Sequence, residues 1–162
     1  FRRIYRSARR GASMALETVL LAVGPNDADR IDELADAVLD IAGPADATVV
    51  VAHVFTDDQY DGVVDRLEFE STGEADPNEV AERHTTIRRL ARSLDDRGVA
   101  HSVRGAIGEH GETIVGLAEA VEADLVVVGG RRRTPTGKAV FGSTAQTVLL
   151  SAPCPVTFVR GD

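Results

Sequence analysis

The chain has 162 residues, 43% of them hydrophobic, enough for one domain with a real core. No apolar run approaches the roughly 20 residues of a membrane-spanning helix, and a lone cysteine excludes an internal disulfide or a multi-cysteine zinc site. A formal net charge of −8, from 26 acidic against 18 basic residues, argues against nucleic-acid binding by the body of the domain.

Residues 1–13, FRRIYRSARRGAS, hold five arginines and no acid. They read as a basic extension, disordered or not native, ahead of a natural start at Met14; a targeting segment or a nucleic-acid arm is the alternative. Residues 14–162 then form a single domain. Lys138 is the only lysine in the chain. An acidic, lysine-poor surface of this kind resembles that of proteins from salt-loving organisms, where salt screens the self-repulsion.

Along the body, strands alternate with helices. Thr18–Val23 (TVLLAV) reads as a buried strand ending in the turn Gly24-Pro25-Asn26. Residues 27–42 follow as an amphipathic helix with Ile31, Leu34, Ala35, Val38 and Ala42 on one face, stopped by Gly43-Pro44. Asp27 and Asp29 are read as helix-capping acids. Thr48–Phe55 (TVVVAHVF) is a second buried strand, with His53 as a satisfied core histidine. Residues 56–76 are acidic and weakly patterned, a mobile loop over one edge of the site.

Asp76-Pro77 opens a helix with Glu79 at the capping-box place and Val80, Ile87, Leu90, Ala91 and Leu94 as its stripe. Residues 99–107 make a weaker strand at an edge. Ile114, Leu117, Ala118 and Val121 mark another helix, with Glu109 and Glu112 favoured in its first turn by the dipole. Leu125–Val128 is the most apolar strand. A last helix carries Ala145, Val148 and Leu149 as its apolar face, and Pro153-Cys154-Pro155 leads into a final strand, 156–159. Cys154 is read as a buried structural thiol, which fits a reducing cytoplasm.

Five strands separated by helical segments specify an open, doubly wound α/β fold, a five-stranded parallel sheet with helices on both faces. Ligands bind such folds beyond the strand carboxyl ends, at the switch point of strand order. The segment 129–144, GGRRRTPTGKAVFGST, stands at such an end. Arg131, Arg132, Arg133 and Lys138 precede a helix N-terminus at Ser143, where Gln146 has capping-box spacing. Backbone N–H groups, the helix dipole and four cations together describe a site for a phosphate-bearing ligand. A solvated arginine loop with Ser143 as a simple cap is the plainer reading.

Sharper motifs fail. Six residues separate Gly130 from Gly137-Lys138, and Ala139 follows, so there is no Walker A loop. Only Gly24 stands where a dinucleotide fingerprint needs three glycines. The four histidines are scattered, with no metal-ligand spacing.

Gly129, Arg132 at the second glycine's place, then nine residues and Gly142-Ser143 resemble the G-2x-G-9x-G-[ST] signature of the universal stress protein family. Ala52-His53-Val54 and the ending Ala152-Pro153-Cys154-Pro155-Val156 are similar too, and the resemblance runs from Met14 to Arg160. It implies a Rossmann-like domain binding ATP or another adenine nucleotide, with Mg2+ as a companion. The implied binding residues are Val23, Gly24, Pro25, Asn26, Val54, Val128, Gly129, Arg132, Gly142, Ser143 and Thr144. It also implies a cytoplasmic stress-response module that dimerises through its C-terminal strand. Two positions depart. Gly24 stands where ATP-holding members have an aspartate, and Arg132 where they have glycine. Arg132 either fills the pocket or gives a guanidinium to phosphate. The rival readings are a ligand-free dimeric interaction module and a slow ATP hydrolase, the latter lacking any acid in the 129–144 loop.

Overall fold

The computed structural model describes residues 16–66, 76–130 and 142–160; the basic extension and the cationic part of the loop, Arg132 included, lie outside them. Five strands form one parallel sheet: β1 (Thr18–Val23), β2 (Thr48–Phe55), β3 (His101–Ile107), β4 (Leu125–Gly130) and β5 (Val156–Arg160). Their order is β3-β2-β1-β4-β5, so the direction of strand addition reverses between β1 and β4. This is the doubly wound α/β architecture expected from the sequence.

The apolar runs form central strands because both of their faces are covered. Val19, Leu21, Val49 and Val51 point to one face, against Leu34, Val38 and Ala42 of α1 (Ile31–Ala45) and Ile87, Leu90 and Leu94 of α4 (Thr85–Asp96). Leu20, Val50, Ala52 and Val126 point to the other, against Ile114 and Ala118 of α5 (His110–Ala120) and Val148 of α6 (Ser143–Ser151). Alternate residues of a strand must face opposite ways, so an unbroken apolar run requires two layers. At the far end from the site, Asp124 Oδ2 accepts from the backbone N–H of Glu17 and Thr18, both at 3.0 Å, and ties the start of β1 to that of β4.

Several boundaries differ from the sequence expectation. Gly43-Pro44 does not stop α1, which runs to Ala45 and ends at Asp46 in the left-handed region (φ 52°). The missing Pro44 N–H leaves only the carbonyl of Asp40 without its helical donor, and Asp40 is exposed to water. The acidic stretch after β2 is not loop throughout: α2 spans Asp57–Arg66. Thr56 and Gln59 make a reciprocal capping box, with Thr56 N–H donating to Gln59 Oε1 (3.0 Å) and Gln59 N–H to Thr56 Oγ1 (3.3 Å).

The helix expected from Pro77 is two helices, α3 (Pro77–Arg83) and α4, broken at His84, whose backbone is extended. Leu149 is not part of the α6 apolar face; it is 38% exposed, and Leu150 is 79% exposed. Cys154 is half-buried rather than buried.

Candidate functional site

The reversal of strand order leaves a crevice at the carboxyl ends of β1 and β4. Register pairs Ala22 with Val128, which sets Val23 level with Gly129 and Gly24 level with Gly130, the last residue of β4. Val23 and Val128 are buried, Gly24 and Gly129 are half-buried, and Pro25 and Asn26 are exposed. Val54, at the end of β2, is buried on the α5–α6 face. Gly142 and Ser143 are exposed at the start of α6 and Thr144 is half-buried. That helix start lies at the same end, because Gly111 in the first turn of α5 packs against Thr147; a Cβ on Gly111 would come within 2.7 Å of the Thr147 Cβ.

The N-cap of α6 is Gly142, not Ser143, and among the described residues no side chain caps it. Ser143 is the first helical residue, and its carbonyl accepts from Thr147 Oγ1 (3.0 Å). The capping-box reading of Ser143 and Gln146 is therefore wrong. The uncapped terminus keeps its N–H groups directed outward, as an anion-binding terminus does.

Asp27 and Arg30, which the sequence reading did not place in the site, occupy its centre. Gly24-Pro25-Asn26-Asp27 is a β-turn closed by Asp27 N–H to the Gly24 carbonyl (3.2 Å), with Pro25 at the position its fixed φ favours. Asp27 makes no side-chain capping bond to the single 3-10 turn that follows (Ala28–Arg30). Its Oδ2 turns back and accepts the Gly24 N–H at 2.7 Å, while Oδ1 faces the Arg30 guanidinium at 3.4 Å. A Cβ on Gly129 would meet Arg30 Cδ at 3.0 Å and Asp27 Oδ1 at 3.1 Å. The pair thus fills the space between the two strand ends. Burial raises the Asp27 pKa, against the lowering effects of the Gly24 N–H and of Arg30. The one sequence signal that could have found the pair is the acid–base spacing of three residues between Asp27 and Arg30.

His53 is a satisfied core histidine, as expected. Its Nδ1–H donates to the Val23 carbonyl at 2.7 Å, at the last residue of β1. Burial, the neighbouring His84 and to a lesser extent His110 push its pKa down to about 4, against the raising effect of that hydrogen bond. The rings of His53 and His84 lie 4.7 Å apart. The helix break at His84 places that ring there. His84 Nδ1 is enclosed without a hydrogen-bond partner among the described residues, and burial and then Arg66 lower its pKa. Glu109 is the N-cap of α5, accepting from Gly111 N–H (3.1 Å) and Glu112 N–H (2.8 Å), which hold its pKa down. Among the described residues no group of three His, Cys, Asp or Glu side chains could hold a metal ion, and no helix could cross a membrane.

Fold and topology together define a doubly wound α/β domain whose strand order reverses between β1 and β4. A sequence model of the universal stress protein family matches residues 16–160, and the chain belongs to that family. A universal stress protein of Methanocaldococcus jannaschii is 28% identical over 137 residues, 84% of this chain and 79% of that protein. One from Mycolicibacterium smegmatis is 34% identical over 79 residues, 48% of this chain and 61% of that protein. Among solved structures, a universal stress protein in complex with cAMP superposes with a TM-score of 0.65 at 20% identity, covering 91% of this chain and 99% of the other. An Arabidopsis thaliana family member with AMP bound gives 0.59 at 13% identity, covering 90% and 92%. At these identities the likeness to solved structures is one of fold.

Proposed function

We propose that this chain is a stress-response binding module that holds an adenine nucleotide over the carboxyl ends of β1 and β4, above the Gly24 turn and Gly129. The observation that carries the reading is the meeting of two features at one strand-order reversal. One is the pair of glycine-bearing strand ends; the other is the uncapped N-terminus of α6 beyond the cationic loop. Family members bearing cAMP and AMP support the ligand class. The adenine lies over the end of β2 beside Val54, and the phosphates lie along Gly129, Arg132 and Gly142–Thr144. ATP is the fullest occupant of that run, with Mg2+ carried on its own phosphates. Asn26, exposed in the same turn, supplies the polar contact that Gly24 lacks. The module acts in the cytoplasm, and its acidic surface suits high salt.

Calorimetric titration of ATP, ADP and AMP into the full chain, at high salt with Mg2+, is expected to give micromolar or tighter binding. Absence of heat in folded protein would reject the reading in favour of a ligand-free interaction module. Arg132→Gly is expected to weaken ATP binding about tenfold, the loss of one charge-assisted contact. Tighter binding by that variant would instead identify Arg132 as an obstruction.

The same module pairs with a second copy through β5. Support comes from the two sheet edges. On β3 the Gly105 N–H is taken by Asn78 Oδ1 at 2.8 Å, whereas β5 pairs only with β4 among the described residues and is half-exposed from Val156 to Val159. Light scattering is expected to return twice the chain mass.

A further inference from the structure

Arg30 is an unusual residue to find buried. Its residue exposure is 9%, and a guanidinium taken out of water needs compensating partners for its five N–H donors. Among the described residues it has two, both long: Asp27 Oδ1 at 3.4 Å and the Asn26 carbonyl at 3.5 Å. A well-made charge-assisted bond is about 2.7–2.9 Å. Asp27 cannot serve it better, because the same carboxylate is held by the Gly24 N–H at 2.7 Å. Both acceptors of the guanidinium, Asn26 and Asp27, belong to the turn after β1, and the open side of Gly129, near the end of β4, faces the Arg30 Cδ. Any residue larger than glycine at 129 would press on the Arg30 side chain.

We propose that Arg30 is the residue by which the crevice selects phosphate-bearing ligands over neutral ones, with Asp27 as its resting partner in the empty protein. A phosphate monoester entering beside Gly129 meets a guanidinium whose contacts among the described residues are both long. Arg30 then exchanges a long contact to a shared carboxylate for short bonds to a dianion, and Asp27 keeps its bond to Gly24. Bidentate geometry makes arginine, rather than lysine, the suitable residue. This assignment rests on the nucleotide reading for its natural ligand but not for its chemistry, and the test separates the two.

The experiment compares AMP with adenosine, and adds pyrophosphate as an anion without a base. In the unaltered chain AMP is expected to bind more tightly than adenosine. Arg30→Met is expected to cut the AMP-over-adenosine preference about 10- to 100-fold, and Arg30→Lys to give an intermediate loss. An unchanged preference in folded Arg30→Met overturns the assignment and leaves nucleotide binding standing. Asp27→Asn keeps an acceptor for the Gly24 N–H and frees Arg30, so AMP affinity is expected to rise severalfold; a fall or no change overturns the exchange of partners. This variant also decides the matter should Arg30→Met not fold. If the unaltered chain binds neither AMP nor adenosine, the nucleotide reading fails. A pyrophosphate-induced rise in melting temperature that Arg30→Lys weakens then retains Arg30 as an anion site, and no rise rejects that too.

Discussion

Gly105→Ala is expected to destabilise the domain by about 3 kcal/mol, at the upper end of overpacking effects, with the melting temperature falling by about 10 °C for a domain of this size. A Cβ at position 105 would stand 1.9 Å from the Pro77 carbonyl oxygen and 2.4 Å from its carbon. Both atoms are backbone, so no side chain can rotate away. The start of α3 must lift off β3, and the bond from Gly105 N–H to Asn78 stretches with it. Gly116→Ala provides the opposite expectation. Nothing lies within 4 Å of its added Cβ, it is inside α5, and alanine there is expected to stabilise by about 0.5–1 kcal/mol. Urea unfolding of the two variants measures both; similar midpoints would remove the close-approach argument.

The second large effect concerns acid. His53 has a folded-state pKa of about 4 against an ordinary 6.5. Its neutral form is favoured by the fold, so the unfolded chain binds more protons between these values and stability must fall as pH falls through that window. The stabilisation is fully present above pH 6.5 and is lost by pH 4. The depression corresponds to about 3 kcal/mol. His84, also lowered, adds in the same direction, while Glu109 acts only below its ordinary 4.5. His53→Gln, a neutral side chain able to donate to the Val23 carbonyl, is expected to flatten most of the slope between pH 6.5 and 4 in urea titrations. A variant retaining the full slope would show that the pH dependence arises elsewhere.

The sheet was legible from the chain because its central strands are runs of valine, leucine and alanine too short for helices and punctuated by glycine and proline. The position of the crevice followed from strand order. What was not legible depended on contacts between distant segments. Nothing between Arg83 and Thr86 announces a helix break, since no glycine or proline stands there; the break is tertiary, seating His84 against His53. The α2 helix did announce itself, through Thr56 and Gln59, but the acidity of Asp57, Asp58, Asp61 and Asp65 obscured that signal. Asp27 followed a turn and preceded a helix, where a cap is the commonest role. Its bond back to Gly24 depends on a turn conformation that its residues permit but do not dictate.

The unequal edges of the sheet bear on how far assembly can run. Asn78 occupies a ladder position on β3 that an incoming strand would need. A copy joined at β5 therefore presents, on its outer side, the same obstructed border as the first. In the proposed pair growth would end at two copies, with the Asn78 side chain and the close approach at Gly105 obstructing both outer edges.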